Sequence, residues 1–269
     1  MAKVKIGIAG CLGRMGQDLI RQILSEKKFK FVGGFEHRSH PSIGKKINAV
    51  TDLDSTFVVT NNAKSVFKLA DVVIDFTTPQ SSLSNAKIAS ITKTALVIGT
   101  TGINNGQKNK IKDFSKKTPI LISSNMSMGV NLLFDLVKQA ASSLNASEYD
   151  IEIAEAHHKH KIDAPSGTAL SLGQCAAEGR KTNLNKTKVL DRTKSLKKRK
   201  KGDIGFSVTR GGEIAGEHTV SFISKNDRFD LVHKANNRSI FVSGALRAAF
   251  FISKQKIGYF DMKALLKLK

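Results

Sequence analysis

Apolar and polar positions in the first half of the chain keep one rhythm: a short apolar run, a loop, then an amphipathic stretch. Residues 3–9 alternate and then turn wholly apolar, as a strand buried in a parallel sheet does. Residues 17–24 place their apolar side chains at helical spacing. The pattern then predicts strands at 31–35, 71–76, 95–99 and 119–123. Between them it predicts a helix ending at 66–69, one over 79–92 that opens on Pro79, and a lysine-rich one running to 117. Such alternation implies an α/β unit with a doubly wound parallel sheet.

The first strand runs into Gly10, Cys11, Leu12, Gly13, Arg14, Met15 and Gly16, and a helix follows at once. Strand, glycine loop and helix are what a dinucleotide pyrophosphate needs: glycines let the backbone approach, and the helix start offers N–H donors. The spacing Gly-x-x-Gly-x-x-Gly is looser than the strict Gly-x-Gly-x-x-Gly, so the sheet is read as Rossmann-like on the loop and its context together. Glu36 ends the second strand, 20 residues beyond Gly16. A carboxylate there accepts hydrogen bonds from the adenosine ribose and favours NAD, whereas His37 and Arg38 beside it can meet the extra phosphate of NADP. NADPH or NADH is therefore the cofactor expected. Ligands of doubly wound sheets sit beyond the carboxyl ends of the strands, so Phe76, Thr77, Gly99, Thr100, Thr101, Ser123, Ser124, Asn125 and Met126 should line one crevice.

After Asn125 the rhythm changes. A long helical pattern begins at Gly129, a strand covers 149–156, and a helix covers 165–179. Three strand-like segments at 204–209, 217–223 and 228–233 then follow without helices between them. That grouping predicts a second, α+β domain with a mixed, largely antiparallel sheet. An apolar helix at 241–252 and a short one ending near 268 have no sheet of their own and should pack back on the first domain. The boundaries expected are 1–125 with 239–269 for dinucleotide binding, and 126–238 for substrate.

The length of 269 residues suits two domains, and 40% apolar with 25% charged residues is ordinary for a globular chain. No stretch has the length of a membrane span, and residues 1–3 lead straight into a strand pattern, so a cytoplasmic protein is expected. Cys11 and Cys175 suggest neither a disulfide framework nor a metal cluster. Charge changes the picture more: 44 Lys and Arg against 22 Asp and Glu give a formal +22. Nucleic-acid binding is the obvious inference from that excess. The lysines are scattered, Trp is absent and only two Tyr are available for stacking, so no nucleic-acid partner is expected. The cluster at 194–201 reads as a solvated loop, and a positive field also speeds capture of an anionic substrate.

The densest chemistry lies in Glu155-Ala156-His157-His158-Lys159-His160-Lys161-Ile162-Asp163-Ala164-Pro165-Ser166-Gly167-Thr168. Taken alone, the run could be a solvated loop. A zinc site is disfavoured because adjacent histidines lack the i, i+4 spacing and two lysines would repel a dication. The run stands on the doorstep of a predicted helix start, where unpaired N–H groups welcome an anion. Proton donors and cations beside that start suggest an anionic small molecule held next to an acid catalyst.

These segments resemble the 4-hydroxy-tetrahydrodipicolinate reductase family, of the diaminopimelate route to lysine. The matches are Ile8-Ala9-Gly10-x-x-Gly13-Arg14-Met15-Gly16, Asp75-Phe76-Thr77, Gly99-Thr100-Thr101-Gly102, 125–131, the histidine block, and Arg210-x-Gly212-x-Ile214-x-Gly216-x-His218, in family order over nearly the whole chain. The resemblance implies NAD(P)H-dependent reduction, with Gly10 to Met15 around the pyrophosphate and Glu36 on the ribose. It implies Gly99 to Thr101 and Ser123 to Met126 near the nicotinamide. His157 looks like the general acid and Lys161 like a second proton donor that also pairs with a substrate carboxylate. His158, Gly167 and Thr168 look like carboxylate-binding groups. A small dicarboxylate substrate and a homotetramer built through the second domain's sheet are implied as well. Thr78 stands where many relatives have a basic residue. The alternatives are a reductase of another small dicarboxylate and, more distantly, a basic nucleic-acid-binding protein.

Overall fold

The structure is a computed structural model that describes residues 2–193 and 197–268. In chain order its elements are β1 (Val4–Ala9), α1 (Arg14–Ser25), β2 (Phe29–Phe35), α2 (Ala63–Leu69), β3 (Val72–Asp75), α3 (Pro79–Thr92), β4 (Ala95–Ile98), α4 (Asn105–Phe114) and β5 (Pro119–Ile122). Then come α5 (Met128–Ser143), β6 (Asp150–His157), α6 (Gly167–Gly179), α7 (Leu184–Thr187), β7 (Lys188–Val189), β8 (Ile204–Arg210), β9 (Glu217–Ile223) and β10 (Arg228–Lys234). The chain continues through α8 (Ser239–Ile252), β11 (Gly258–Phe260) and α9 (Met262–Leu266). By its contacts it divides into one unit of residues 1–127 with 239–267 and another of residues 128–238.

The first unit is a six-stranded parallel sheet in the order β11-β5-β4-β3-β1-β2. Every residue of β3, β4 and β5 is buried, which explains their mostly apolar runs; the exception is the buried Asp75 that ends β3. α1 turns Leu19, Ile20 and Ile23 inward, and α8 lies against β3, β4 and β5. Strand order reverses between β1 and β3, so the loops after these two strands diverge and leave a crevice.

The second unit is a five-stranded sheet in the order β10-β9-β6-β8-β7. It is mixed, with antiparallel seven-residue ladders joining β9 to β6 and β10, and parallel pairing of β8 with β6 and β7. Ile151, Ile153, Ile204, Phe206, Val220 and Phe222 share one face and pack on Leu133 and Val137 of α5 and Leu172 and Ala176 of α6. The opposite face carries the exposed residues Ala154, Ser207, Thr209 and Val232.

Several boundaries differ from the sequence reading. β6 runs one residue further and includes His157, because the ladders to β8 and β9 hold it in register. α6 begins at Gly167 rather than Pro165, since Ser166 is extended and caps the helix with its hydroxyl. The C-terminal segment is more than a helical pair: β11 adds a parallel strand beside β5. Residues 194–196 of the basic cluster lie outside the described residues. Arg199 departs from the solvated-loop reading, for it bonds Glu152, lies 2.9 Å from Asp150 and donates to the Ile151 carbonyl. Among the described residues, no helix is long and apolar enough to cross a membrane.

Candidate active site

In the first unit the glycine loop is shaped by backbone contacts. Gly10 has φ +71°, a conformation that favours glycine, and its N–H bonds the Phe35 carbonyl at 2.9 Å. Gly16 lies so close beneath it that a Cβ there would run into the Gly10 carbonyl oxygen. α1 starts at Arg14 with Gly13 as its cap residue and no side-chain capping bond, so helix N–H groups face outward unclaimed by a cap. Glu36 accepts the Leu12 N–H at 2.7 Å and ties the loop to the end of β2. A cavity of about 620 Å³ opens here, lined by Gly10, Gly13, Glu36, His37, Arg38 and Thr78 among others. Arg38 is exposed, and His37 leans on Ser39 at 2.8 Å. An uncapped helix start, a glycine turn and an acidic strand end around one crevice fit a dinucleotide.

The other residues expected near the cofactor divide by what their side chains do. The Cys11 thiol is fully buried against Gly34, and burial followed by the charge of Glu36 pushes its pKa up to about 12. Only its backbone is available to a ligand. Thr100 is buried and its hydroxyl oxygen accepts from the Thr77 N–H at 3.0 Å and from Ser82 at 2.8 Å. That network centres on Asp75, fully buried and bonded to Thr77 and Asn85; burial raises its pKa against those bonds. Met126 is buried too, with Gly244 of α8 pressed against its carbonyl. Thr101 and Ser124 are exposed, and the Ser123 hydroxyl donates to the Asn125 carbonyl at 2.7 Å. Asn61, Ser81 and Ile88 also line the cavity and carried no motif signal in the sequence.

In the second unit, Glu155 and His157 point to the same face of β6, two residues apart. His157 Nδ1 lies 2.6 Å from Glu155 Oε2. Arg210, at the end of neighbouring β8, grips both carboxylate oxygens at 2.7 and 2.9 Å. The Ser166 N–H, just before α6, donates to Glu155 Oε1 at 2.9 Å. The Ser166 hydroxyl caps the Ala169 N–H at 3.1 Å and lies 3.2 Å from His218 Nε2 on β9. The rings of His157 and His218 meet edge to face, 5.1 Å apart.

Electrostatics follow from this packing. Burial lowers the pKa of His157 from its ordinary value of 6.5, and Lys161 and Arg210 add to that while Glu155 opposes it. His157 is therefore mostly neutral at pH 7. Burial also lowers His218, with help from the charge of His157, to about 4. Burial disfavours the Glu155 carboxylate, yet Arg210, Ser166 and His157 outweigh it and hold its pKa below the usual range.

The remaining predicted residues surround this core. The segment 211–216 clasps the histidine run, with the Gly211 N–H on the His157 carbonyl at 3.0 Å and the His158 N–H on the Ile214 carbonyl at 2.8 Å. Lys161 bonds Asp163 at 2.7 Å. Lys161 holds the Asp163 carboxyl below its usual range, and the Gly167 N–H contributes. His158 Nδ1 is buried without a hydrogen-bond partner among the described residues. Gly167 is exposed, and nothing lies within 4 Å of where its Cβ would be. His157 is tied to the start of α6 through Glu155 and the Ser166 N–H, and Lys161 through Asp163 and the Gly167 N–H, beside Thr168 in the helix's first turn, while His158 is held against the 211–216 segment. Ser166, Arg210, Gly216 and His218 complete the surroundings; all four stood in the quoted motifs, without a role.

The family description "Dihydrodipicolinate reductase, N-terminus" matches residues 4–126, and "Dihydrodipicolinate reductase, C-terminus" matches residues 129–266. The chain belongs to the dihydrodipicolinate reductase family. It is 41% identical over 266 residues to the 4-hydroxy-tetrahydrodipicolinate reductase of Polynucleobacter necessarius subsp. necessarius (strain STIR1), covering 99% of this chain and 100% of that one. It is 43% identical over 261 residues to the enzyme of the same description from Ruegeria sp. (strain TM1040), covering 97% of each. Among solved structures, the dipicolinate-bound dihydrodipicolinate reductase from Paenisporosarcina sp. TG-14 superposes with a TM-score of 0.78, covering 97% of this chain and 98% of that one at 23% identity. Membership of this reductase family makes the protein a nucleotide-dependent oxidoreductase, and the two sites described above are where its chemistry is to be sought.

Proposed function

We propose that this protein reduces 4-hydroxy-tetrahydrodipicolinate to tetrahydrodipicolinate with NADPH or NADH, in the diaminopimelate route to lysine. The observation that carries the reading is the meeting of a buried, carboxylate-paired imidazole with a cationic helix start, since the substrate is a dianion that must be protonated as it is reduced. The nicotinamide supplies a hydride. The chain's own residues do the rest. Lys161 and the N–H groups of Gly167 and Thr168 fix one carboxylate, and His158 helps. His157 delivers the proton that quenches charge on the ring. A dianion nearby also favours the imidazolium, which offsets the burial that keeps His157 neutral without substrate.

For the cofactor, the uncapped start of α1 and the turn at Gly10 suit a pyrophosphate, and Glu36 suits ribose hydroxyls. Arg38 lines the same cavity and would supply a cation to an extra phosphate, and Thr78 caps α3 in place of a basic side chain. Both dinucleotides should bind. A homotetramer built through the open face of the second sheet accords with the exposed Ala154 and Val232 there.

The test is oxidation of NADPH or NADH when the substrate is made in situ from pyruvate and aspartate semialdehyde. Absence of oxidation at saturating dinucleotide rejects the reading. Titrating both dinucleotides against wild type and Arg38→Ala reads the preference, and the variant should lose roughly tenfold of its affinity for NADPH and little for NADH.

A further inference from the structure

Glu155 is a carboxylate of the second unit engaged on both oxygens. Its side chain is wholly shielded from solvent in the middle of a five-stranded sheet. Oε1 accepts from the Ser166 N–H and from Arg210, while Oε2 faces His157 Nδ1 and accepts from Arg210. A carboxylate has about four acceptor sites and, while ionised, no proton to donate. The partner at His157 Nδ1 must then be a donor, so the imidazole carries its hydrogen on Nδ1. The nitrogen left for exchange is Nε2, which faces Gly216; a Cβ on that glycine would sit 3.1 Å from it.

We infer that Glu155 is a positioning residue: it fixes His157 in the Nδ1–H form, leaves Nε2 to carry the transferred proton, and holds it in register with the substrate-binding start of α6. The inference rests on the reductase reading for its consequences in turnover. Its structural content is independent, because one side chain touches both the imidazole and the backbone that opens the helix. In the step itself, Nε2 takes a proton from solvent. The N–H bond then breaks towards the substrate ring, leaving the electron pair on Nε2, while the other hydrogen stays on Nδ1, hydrogen-bonded to the ionised Glu155. Arg210 keeps the carboxylate ionised and oriented, and the Ser166 N–H orients it from the helix side.

The groups bearing on this equilibrium come from every strand around it. They are Glu155 on β6, Arg210 on β8, His218 on β9, His233 on β10 acting on His218, and Lys161 from the loop after β6. Only Glu155 among them favours the imidazolium. Removing its charge should therefore lower the His157 pKa further, leave less imidazolium at a given pH, and turn its ring.

The test uses Glu155→Gln in the full chain, read two ways. Nitrogen NMR of histidine-labelled protein, with the His157 signals assigned through His157→Gln, reports the tautomer without any need for turnover. Wild type should show Nδ1–H, and E155Q should lose that preference. In steady state, E155Q should lower kcat about a hundredfold with KM for dinucleotide unchanged, and the alkaline fall of kcat should move to lower pH. If E155Q does not fold, Glu155→Asp, which keeps the charge and withdraws it from the ring, is read by the same signals. An Nε2–H tautomer in wild type, or a variant with wild-type tautomer and pH limb, overturns the inference. A wild type that shows Nδ1–H yet oxidises no dinucleotide would instead overturn the reductase reading alone.

Discussion

The glycine loop and the histidine site are built by opposite means. At the loop the useful groups are backbone: N–H groups at an uncapped helix start, reached because Gly10, Gly13 and Gly16 carry no side chains. The nearby side chains are buried and committed elsewhere, like Cys11 and Thr100, or exposed, like Arg38 and Thr101. At the histidine site the side chains are the machinery, and each is held by another: Arg210 grips Glu155, Glu155 holds His157, and His218 meets Ser166. A backbone site tolerates almost any side chain that leaves space and fails when space is filled. A side-chain site tolerates little and fails when one partner is removed.

The comparison can be broken most sharply at His157. His157→Gln should lower kcat by roughly a hundredfold to ten-thousandfold while dinucleotide affinity stays unchanged, measured by stopped-flow and fluorescence titration. An unaltered rate would take His157 out of the mechanism. Gly16→Ala is the counterpart. Its new methyl meets the Gly10 carbonyl, so the loop must open, and dinucleotide affinity should fall about tenfold to a hundredfold. KM for the proposed dicarboxylate substrate should be unchanged in the same variant, and a rise in both would count against a separate effect on the dinucleotide.

Acid should distinguish the sites more gently. His218 has a folded pKa of about 4 against an ordinary 6.5, because burial disfavours its charge. Between those values the unfolded chain binds a proton that the folded chain refuses, so stability is full above about pH 6.5 and falls as pH drops towards 4. Melting curves across that window should decline. His218→Gln, which keeps an acceptor for Ser166, should flatten the decline, and an identical slope would discard the assignment. The smallest effect belongs to Asp163, which occupies Lys161 at 2.7 Å. Asp163→Asn frees that ammonium and should lower KM for the dicarboxylate about twofold to threefold, with a raised KM counting against it.

Much of this difference was legible in the order of residues. The α/β alternation and the glycine loop mark the first site because a backbone site is encoded locally, within a few residues of one strand end. The histidine block marks the second for the same reason. What escaped were the supports. Arg210 is 55 residues from Glu155, and His218 is 52 from Ser166; only the ladders of β6 with β8 and β9 bring them together. Ending the predicted strand at Ala156 hid that His157 shares a face with Glu155. β11 was missed because its three residues acquire their buried setting only beside β5.

That last strand bears on how the protein is made. Residues 128–238 are contiguous and can complete their sheet as soon as they leave the ribosome. The apolar segment Pro119–Ile122 must wait for Gly258–Phe260, and until then it is an open sheet edge able to pair with a neighbouring nascent chain. Slow translation of the final stretch, or its truncation, should therefore favour aggregation through that edge.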